Sequence, residues 1–386
     1  MKSISDRANA IDKKFSELRS LVPVIFSITP VNLLSEKKKF FADPTYNPQF
    51  TYRPFKTQPS RIIFRLQKLK IPKNHIIYQL LEKKRADVLE HLRLVQARAS
   101  DSFTEQSIRV YGKPDQKLIS RAKLLIKKLE PEQVQVEYSL DKVMPKFRQA
   151  FIKYGIRWKI APKSMVASAA VIPSKRTLFL RKDMRFSKKF IRQLIVHEIG
   201  THILRVENGT LQPYRIFESG FPGYLATEEG LALYNQEINN CSNEKLMKQY
   251  AGRVLAIDYA LTHSFSQTFA YLTELGFSKQ DAWRLCMRVK RGLSDTAKSG
   301  AYTKDYLYLH GYYLIKEFLQ SGGNISDLYY GKIGVEHVSM VKKMPGLTNP
   351  HFIPAFRYFG FFVHTIEEVL QTPFRLLNDF LLGKKR

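Results

Sequence analysis

Val196-His197-Glu198-Ile199-Gly200-Thr201-His202, with Thr227-Glu228-Glu229-Gly230-Leu231-Ala232 downstream, decides how this chain is read. The two stretches supply two imidazoles, a glutamate beside the first of them, and a further pair of glutamates. Two histidines and one carboxylate form a ligand set for catalytic zinc that leaves a fourth position open for water. A spare carboxylate beside that position can take the proton of the water. The pair of stretches therefore predicts a zinc-dependent peptidase.

The spacing needs an explanation. Metalloprotease helices place their histidines four residues apart, on one face. Here they are five apart, and at about 100° per residue they diverge by roughly 140° on a regular helix. A π-bulge, or unwinding at Gly200-Thr201, would bring them back together. Such bulges occur mostly at functional sites, and Gly200 lowers the cost of a local distortion. The alternative is a pair of ordinary, partly buried helix histidines, for which the apolar run Ile191, Leu194, Ile195 would look the same. The Glu-Glu-Gly-Leu-Ala element downstream favours the metal site.

Composition permits an enzyme without specifying one. The chain has 386 residues, 44% of them hydrophobic, with 26 Phe and 20 Tyr, enough to bury a sizeable core. Cys241 and Cys286 are the only cysteines, which excludes a disulfide framework and a cysteine zinc knuckle. The N-terminus is mixed-charge and amphipathic rather than an apolar leader, and the apolar stretch 21–34 is broken by Pro23 and Pro30. A cytoplasmic protein with no transmembrane segment is expected. Sixty-three Lys and Arg against 34 Asp and Glu give a net charge of +29, which implies an anionic partner or a solvated basic surface. The basic residues are dispersed, and no nucleic-acid-binding module is recognisable.

The expected fold class is α+β and helix-dominated, one catalytic body with a small mixed sheet just before the metal-binding helix. Helices are read at 5–18, 75–97 and 115–129, and an extended, proline-punctuated strap at 43–55 packs its aromatics on the body. Residues 156–160 alternate like a strand, and 168–172 with 177–180 read as a hairpin around 173–176. Helix then runs over 186–205, 228–239, 244–263, 279–291 and 304–319. The whole is read as one domain over 1–386, with a helical part (1–130), a catalytic core (150–320) and C-terminal helices (321–386).

Glu229-Gly230-Leu231-Ala232 resembles the glutamate–glycine element of aminopeptidase-like gluzincins, in which the glutamate before the glycine binds zinc. The resemblance implies Glu229 as third ligand, Glu228 behind the ligands or toward substrate, and Glu198 as general base. The longer pattern from His197 to Arg205, with Glu228 to Ala232, resembles the QEGLA-motif family, known in bacteria as flavohaemoglobin-expression modulators. Its animal members include the microtubule-associated tyrosine carboxypeptidases, which remove the C-terminal tyrosine of α-tubulin. Tyr46 to Phe50 and Thr303 to Leu309 also match family segments, and the likeness spans about 40–365. The first position of the element is Glu228 instead of Gln, which leaves the ligand glutamate in place.

The resemblance implies a zinc metallocarboxypeptidase acting on the C-terminus of an acidic polypeptide. Such an enzyme needs a second oxyanion donor beside the metal, for which Tyr306, Tyr308 and His310 are candidates. It also needs a cation for the substrate carboxylate, for which Arg205, Arg288 and Arg291 are candidates, with Lys290 beside them. Two other readings stand: a basic-surfaced regulatory protein with a structural metal site, which leaves Glu198 without a role, and an aminopeptidase, for which Glu228 would meet the substrate amine.

Overall fold

The computed structural model describes residues 3–128, 138–165, 167–242 and 244–354. The architecture is α+β and helix-dominated, with one three-stranded mixed sheet of order β1-β3-β2. β1 (Lys159–Lys163) runs parallel to β3 (Thr177–Arg181), and β2 (Ala169–Ile172) pairs antiparallel with β3, Ile172 opposite Thr177. The hairpin was legible from its Pro-Ser-Lys-Arg turn, a single 3₁₀ turn closed by Arg176 at φ 43°. β1 begins three residues later than the alternation indicated, because Ile156 and Trp158 are core residues that lead into the strand.

Helices Ile4–Ser20, Ile76–Gln96, Gln116–Lys128, Leu225–Ile238, Glu244–Ala260, Lys279–Lys290 and Leu307–Gln320 lie where helical periodicity places them. Five further helices of nine or more residues gave no clear sequence pattern: Leu33–Ala42, Pro59–Gln67, Phe103–Tyr111, Leu140–Lys153 and Phe265–Glu274. Most span too few turns for periodicity to register, and Leu140–Lys153 carries an internal Pro145. Over 321–354, the described part of the expected C-terminal helices, the helical segments are short. Among the described residues only the 3₁₀ turns Ile325–Tyr329 and Val335–His337 and the short α-helix Val338–Lys342 follow. Gly322, Gly331 and Gly346 adopt positive φ there, which stops helix propagation. The remainder of the expected C-terminal helices lies outside the described residues.

The strap packs as structure. Phe50 is buried, Tyr52 donates its hydroxyl to the Leu293 carbonyl at 2.6 Å, and Thr296 donates to the Pro48 carbonyl at 2.7 Å. Buried Glu36 anchors it, accepting from the Tyr46 hydroxyl at 2.7 Å and the Gln49 amide at 2.8 Å.

Two apolar clusters form the core. One gathers Phe15, Leu81, Phe147, Leu178, Ile199 and Leu231, the other Phe40, Phe103, Leu233, Leu255, Phe265 and Leu309. Helix Leu225–Ile238 contributes Leu231 to the first and Leu233 to the second. It therefore sits at their seam, with the histidine-bearing helix on one side and Leu307–Gln320 on the other. No helix among the described residues is long and apolar enough to cross a membrane.

Candidate metal centre

The histidine helix changes pitch at the motif. Lys188–Leu194 is α-helical, Ile195–Ile203 is π-helical, and Leu204–Thr210 returns to α. The extra residue per turn brings His197 and His202 onto one face, ring centroids 4.8 Å apart at 77°. A π-segment frees backbone groups that need partners, and buried side chains supply them. Tyr329 donates its hydroxyl to the Gly200 carbonyl at 2.9 Å, and Thr201 donates to the Val196 carbonyl at 3.2 Å. Asn235, from the neighbouring helix, donates to both the Thr201 hydroxyl (2.7 Å) and the Tyr329 hydroxyl (2.9 Å). One asparagine thus ties the helix carrying the histidines to the helix carrying the glutamates.

That second helix is seated by a glycine crossing. A Cβ on Gly230 would lie 2.0 Å from the Gly311 carbonyl carbon, and one on Gly311 would lie 1.9 Å from the Ala226 carbonyl oxygen. Only glycine at both positions allows the helices this approach, which turns Glu229 toward the histidines. Donor atoms of His197, His202 and Glu229 lie within 4.8 Å of one another, with His197 Nε2 3.9 Å from Glu229 Oε2. Among the described residues this is the one cluster of three such side chains able to hold an ion.

The arrangement fits zinc. Ligand atoms around tetrahedral zinc stand about 3.4 Å apart, against 3.9 Å between His197 Nε2 and Glu229 Oε2 and no more than 4.8 Å across the three side chains. A metal-binding imidazole donates from the ring nitrogen that faces away from the ion. His202 Nδ1 meets this, 2.8 Å from the acceptor Glu228 Oε1, whereas His197 Nδ1 is 2.8 Å from the Gln236 amide nitrogen, a donor, so the Gln236 amide must turn over before His197 offers Nε2 to an ion. Burial pushes His197 down to about 3, which keeps it neutral. Burial would lower His202 as well, but hydrogen bonding and charge from Glu228 raise it to about 9, so an ion there competes with a proton.

Glu228 is the hub behind the ligands. Burial would raise its pKa, but Arg205, Lys332 and His202 hold it well below the ordinary carboxylate range. Arg205 is fully buried, contacting Glu228 and Ile333 and donating Nε to the carbonyls of Leu328 and Gly331 at 3.0 Å. Its guanidinium clamps Glu228 and the 328–333 loop, which corrects the expectation that it meets a substrate carboxylate. Glu198 is different: it is buried beside the cluster and makes no hydrogen bond with the described residues. Burial pushes it up to about 7, against His202 and with Glu229 and Glu228.

The remaining candidates separate clearly. Arg288 donates Nε to Asp305 at 2.7 Å, and Arg291 reaches the same carboxylate at 3.3 Å with its guanidinium over Tyr302. Lys290 is fully buried and donates to the carbonyls of Ala260, His263 and Lys298. Tyr306 donates to the Tyr111 carbonyl at 2.6 Å, and His310 has Asp115 and Glu317 for charged neighbours, so both face away from the histidines. Tyr308 has Glu229 for a neighbour, and burial together with that charge raises its phenol well above the ordinary value. Sequence reading missed Asn235, Tyr329 and Gln236. Gln236 had a signal, since it lies seven residues after Glu229 on the same helical face.

A family model described as microtubule-associated tyrosine carboxypeptidase matches residues 38–358. A Mus musculus protein, MATCAP2, named provisionally as a tyrosine carboxypeptidase, is 26% identical over 343 residues, covering 86% of this chain and 58% of its own length. Microtubule-associated tyrosine carboxypeptidase 1 of Homo sapiens is 30% identical over 171 residues, covering 42% of this chain and 36% of its own. The chain thus spans only part of the length of these curated relatives. Among solved structures, a Colwellia psychrerythraea protein described provisionally as a lipoprotein covers 84% of this chain and 63% of that chain at 13% identity, with a TM-score of 0.41.

Proposed function

The chain belongs to the microtubule-associated tyrosine carboxypeptidase family, and from that premise we propose that it is a zinc-dependent carboxypeptidase removing one C-terminal residue from an acidic-tailed polypeptide. One observation carries the reading: three ligand-type side chains converge while a fourth, Glu198, is buried beside them without a hydrogen-bond partner among the described residues. A structural site closes all its positions with protein ligands and has no use for such a group.

His197, His202 and Glu229 would hold the ion. When bound, zinc supplies Lewis acidity that polarises a scissile carbonyl and makes water acidic. Glu198 takes the proton of the attacking water and delivers it to the leaving amine. Tyr308, kept protonated, donates to the carbonyl oxygen as charge develops there. The edge strand β2 packs beside the π-helical segment and offers backbone groups to an extended substrate. The +29 charge draws an acidic tail toward the cleft, with an on-rate that falls as salt rises. The buried, unpaired Cys241 and Cys286 suit a cytoplasmic site of action.

The test is cleavage of acidic-stem peptides with varied C-terminal residues, tyrosine first, followed by mass spectrometry. Wild type should remove one residue and Glu198→Gln none, with zinc retained by both. Equal cleavage by both proteins, or none by zinc-loaded wild type, refutes the proposal.

A further inference from the structure

Beside the metal cluster lies a group of cations with too few anions. Arg253, Arg288, Arg291 and Lys304 gather around the single carboxylate of Asp305, whose pKa they hold far down against burial or, for Lys304, share a neighbourhood with. Arg288 and Arg291 bond Asp305 directly. Arg253 does not. Its guanidinium lies 4.6 Å from the Tyr250 ring centre and 4.8 Å from that of Tyr308, over two rings stacked 5.0 Å apart. Its Nε is buried with no hydrogen-bond partner. Lys304 likewise makes no hydrogen bond to the described residues through its ammonium. Burial lowers its pKa, opposed first by Glu229 and then by Asp305.

The position of this group follows from the glycine crossing. Gly311 touches Gly230, the residue after Glu229. Tyr308 lies three residues before Gly311 and so shares its helical face, and Lys304 lies in the 3₁₀ turn that leads into this helix. Helix Glu244–Ala260, which carries Tyr250 and Arg253, packs against that turn. Tyr250 has both Glu229 and Glu198 among its charged neighbours. Once Glu229 serves a metal, it no longer balances Lys304. Half-buried cations that share the single carboxylate of Asp305 with Arg288 and Arg291 are costly unless a further anion joins them, and a planar carboxylate matches a guanidinium.

We propose that Arg253, over the Tyr250–Tyr308 stack, and Lys304, beside Glu229 and Asp305, hold the α-carboxylate of the substrate's C-terminal residue. The assignment rests on the carboxypeptidase reading and replaces Arg205, Arg288 and Arg291 in that role. It also supplies a reason for removal of one residue at a time, since Lys304, which would hold the carboxylate, has the ligand Glu229 for a charged neighbour.

The experiment measures binding in a protein that cannot hydrolyse. Zinc-loaded Glu198→Gln protein is titrated calorimetrically with an acidic peptide ending in tyrosine, as the free acid and as the amide. The free acid should bind about ten- to a hundredfold more tightly, the worth of a charge-assisted pair. Adding Arg253→Met or Lys304→Met should reduce that ratio to about threefold or less while the amide's affinity stays within about twofold. Arg253→Lys, which keeps the charge and the stem over the rings, should retain part of the preference and serves if the methionine variant does not fold. A parent with no preference for the free acid, a preference that survives both substitutions, or no binding of either peptide overturns the assignment. The two ideas fail separately: cleavage by wild type that ignores amidation sinks this assignment alone, whereas tight free-acid binding without any cleavage sinks the peptidase reading alone.

Discussion

Replacing Gly311 by alanine should cost metal affinity although the residue touches neither metal ligand nor cleft. On a helix the substitution by itself gains about 1 kcal/mol of propensity. Against that, the new methyl would lie 1.9 Å from the Ala226 carbonyl oxygen, 2.8 Å from its carbon and 3.0 Å from the Gly230 nitrogen. All three are backbone atoms, so no side chain can swing aside, and the helices must part by about 1 Å to restore contact distances. Overpacking of this kind costs about 1–3 kcal/mol, and about 2–3 kcal/mol here, where only backbone atoms would have to yield. The net expectation is a loss of about 1–2 kcal/mol in the metal-free protein, read from urea denaturation. The separation also draws Glu229 away from His197 and His202, and zinc affinity, read by competition with a chromophoric chelator, should fall about tenfold or more. If Gly311→Ala binds zinc within about twofold of wild type at unchanged stability, the crossing does not position Glu229 and this account is wrong.

Two further outcomes follow from buried networks. Tyr329→Phe removes the donor to the Gly200 carbonyl and an acceptor for Asn235, so stability should drop by about 1–3 kcal/mol. Zinc affinity should fall with it, whereas Tyr330→Phe, whose hydroxyl meets exposed Asn349, should change neither. Acid should loosen the strap through Glu36. Burial would raise its pKa, but hydrogen bonds from Lys39, Tyr46 and the Gln49 amide bring it below the ordinary value. A carboxyl with a depressed folded pKa stabilises above its unfolded pKa of about 4.3 and loses that contribution as pH falls through the folded value. The stability gap between wild type and Glu36→Gln should therefore be full at pH 6 and narrow steadily below about pH 4.3; a gap independent of pH removes Glu36 from the argument.

Some of the centre was legible because its residues are close in sequence. His197, Glu198 and His202 stand within one helix, and five-residue spacing has few structural remedies, of which the π-segment Ile195–Ile203 is one. Glu228 and Glu229 were legible as a pair, with Glu229 preferred by resemblance, and the structure puts Glu228 on His202 and turns Glu229 to the cluster. Arg205 misled because proximity in sequence to a ligand says nothing about which side of the helix faces solvent. It points into the core, where carbonyls of the 328–333 loop receive it. Arg253 and Lys304 carried no signal, since their significance lies in what does not neutralise them, and that depends on groups from three separate elements.

Helical periodicity, the proline-punctuated strap, the Pro-Ser-Lys-Arg hairpin turn and the motif spacing are local properties, set by backbone sterics and side-chain period over a few residues, and the sequence determined these by itself. The tertiary structure alone decided the rest. It seated Glu229 through contact between Gly230 and Gly311 and completed the π-helix with a hydroxyl from Tyr329. It also committed Arg205 to Glu228 and left Arg253 and Lys304 to share the one carboxylate of Asp305 with Arg288 and Arg291. Each of these is a contact or a charge balance between segments distant in the chain. Its energy depends on separation and burial that only the packed helices establish.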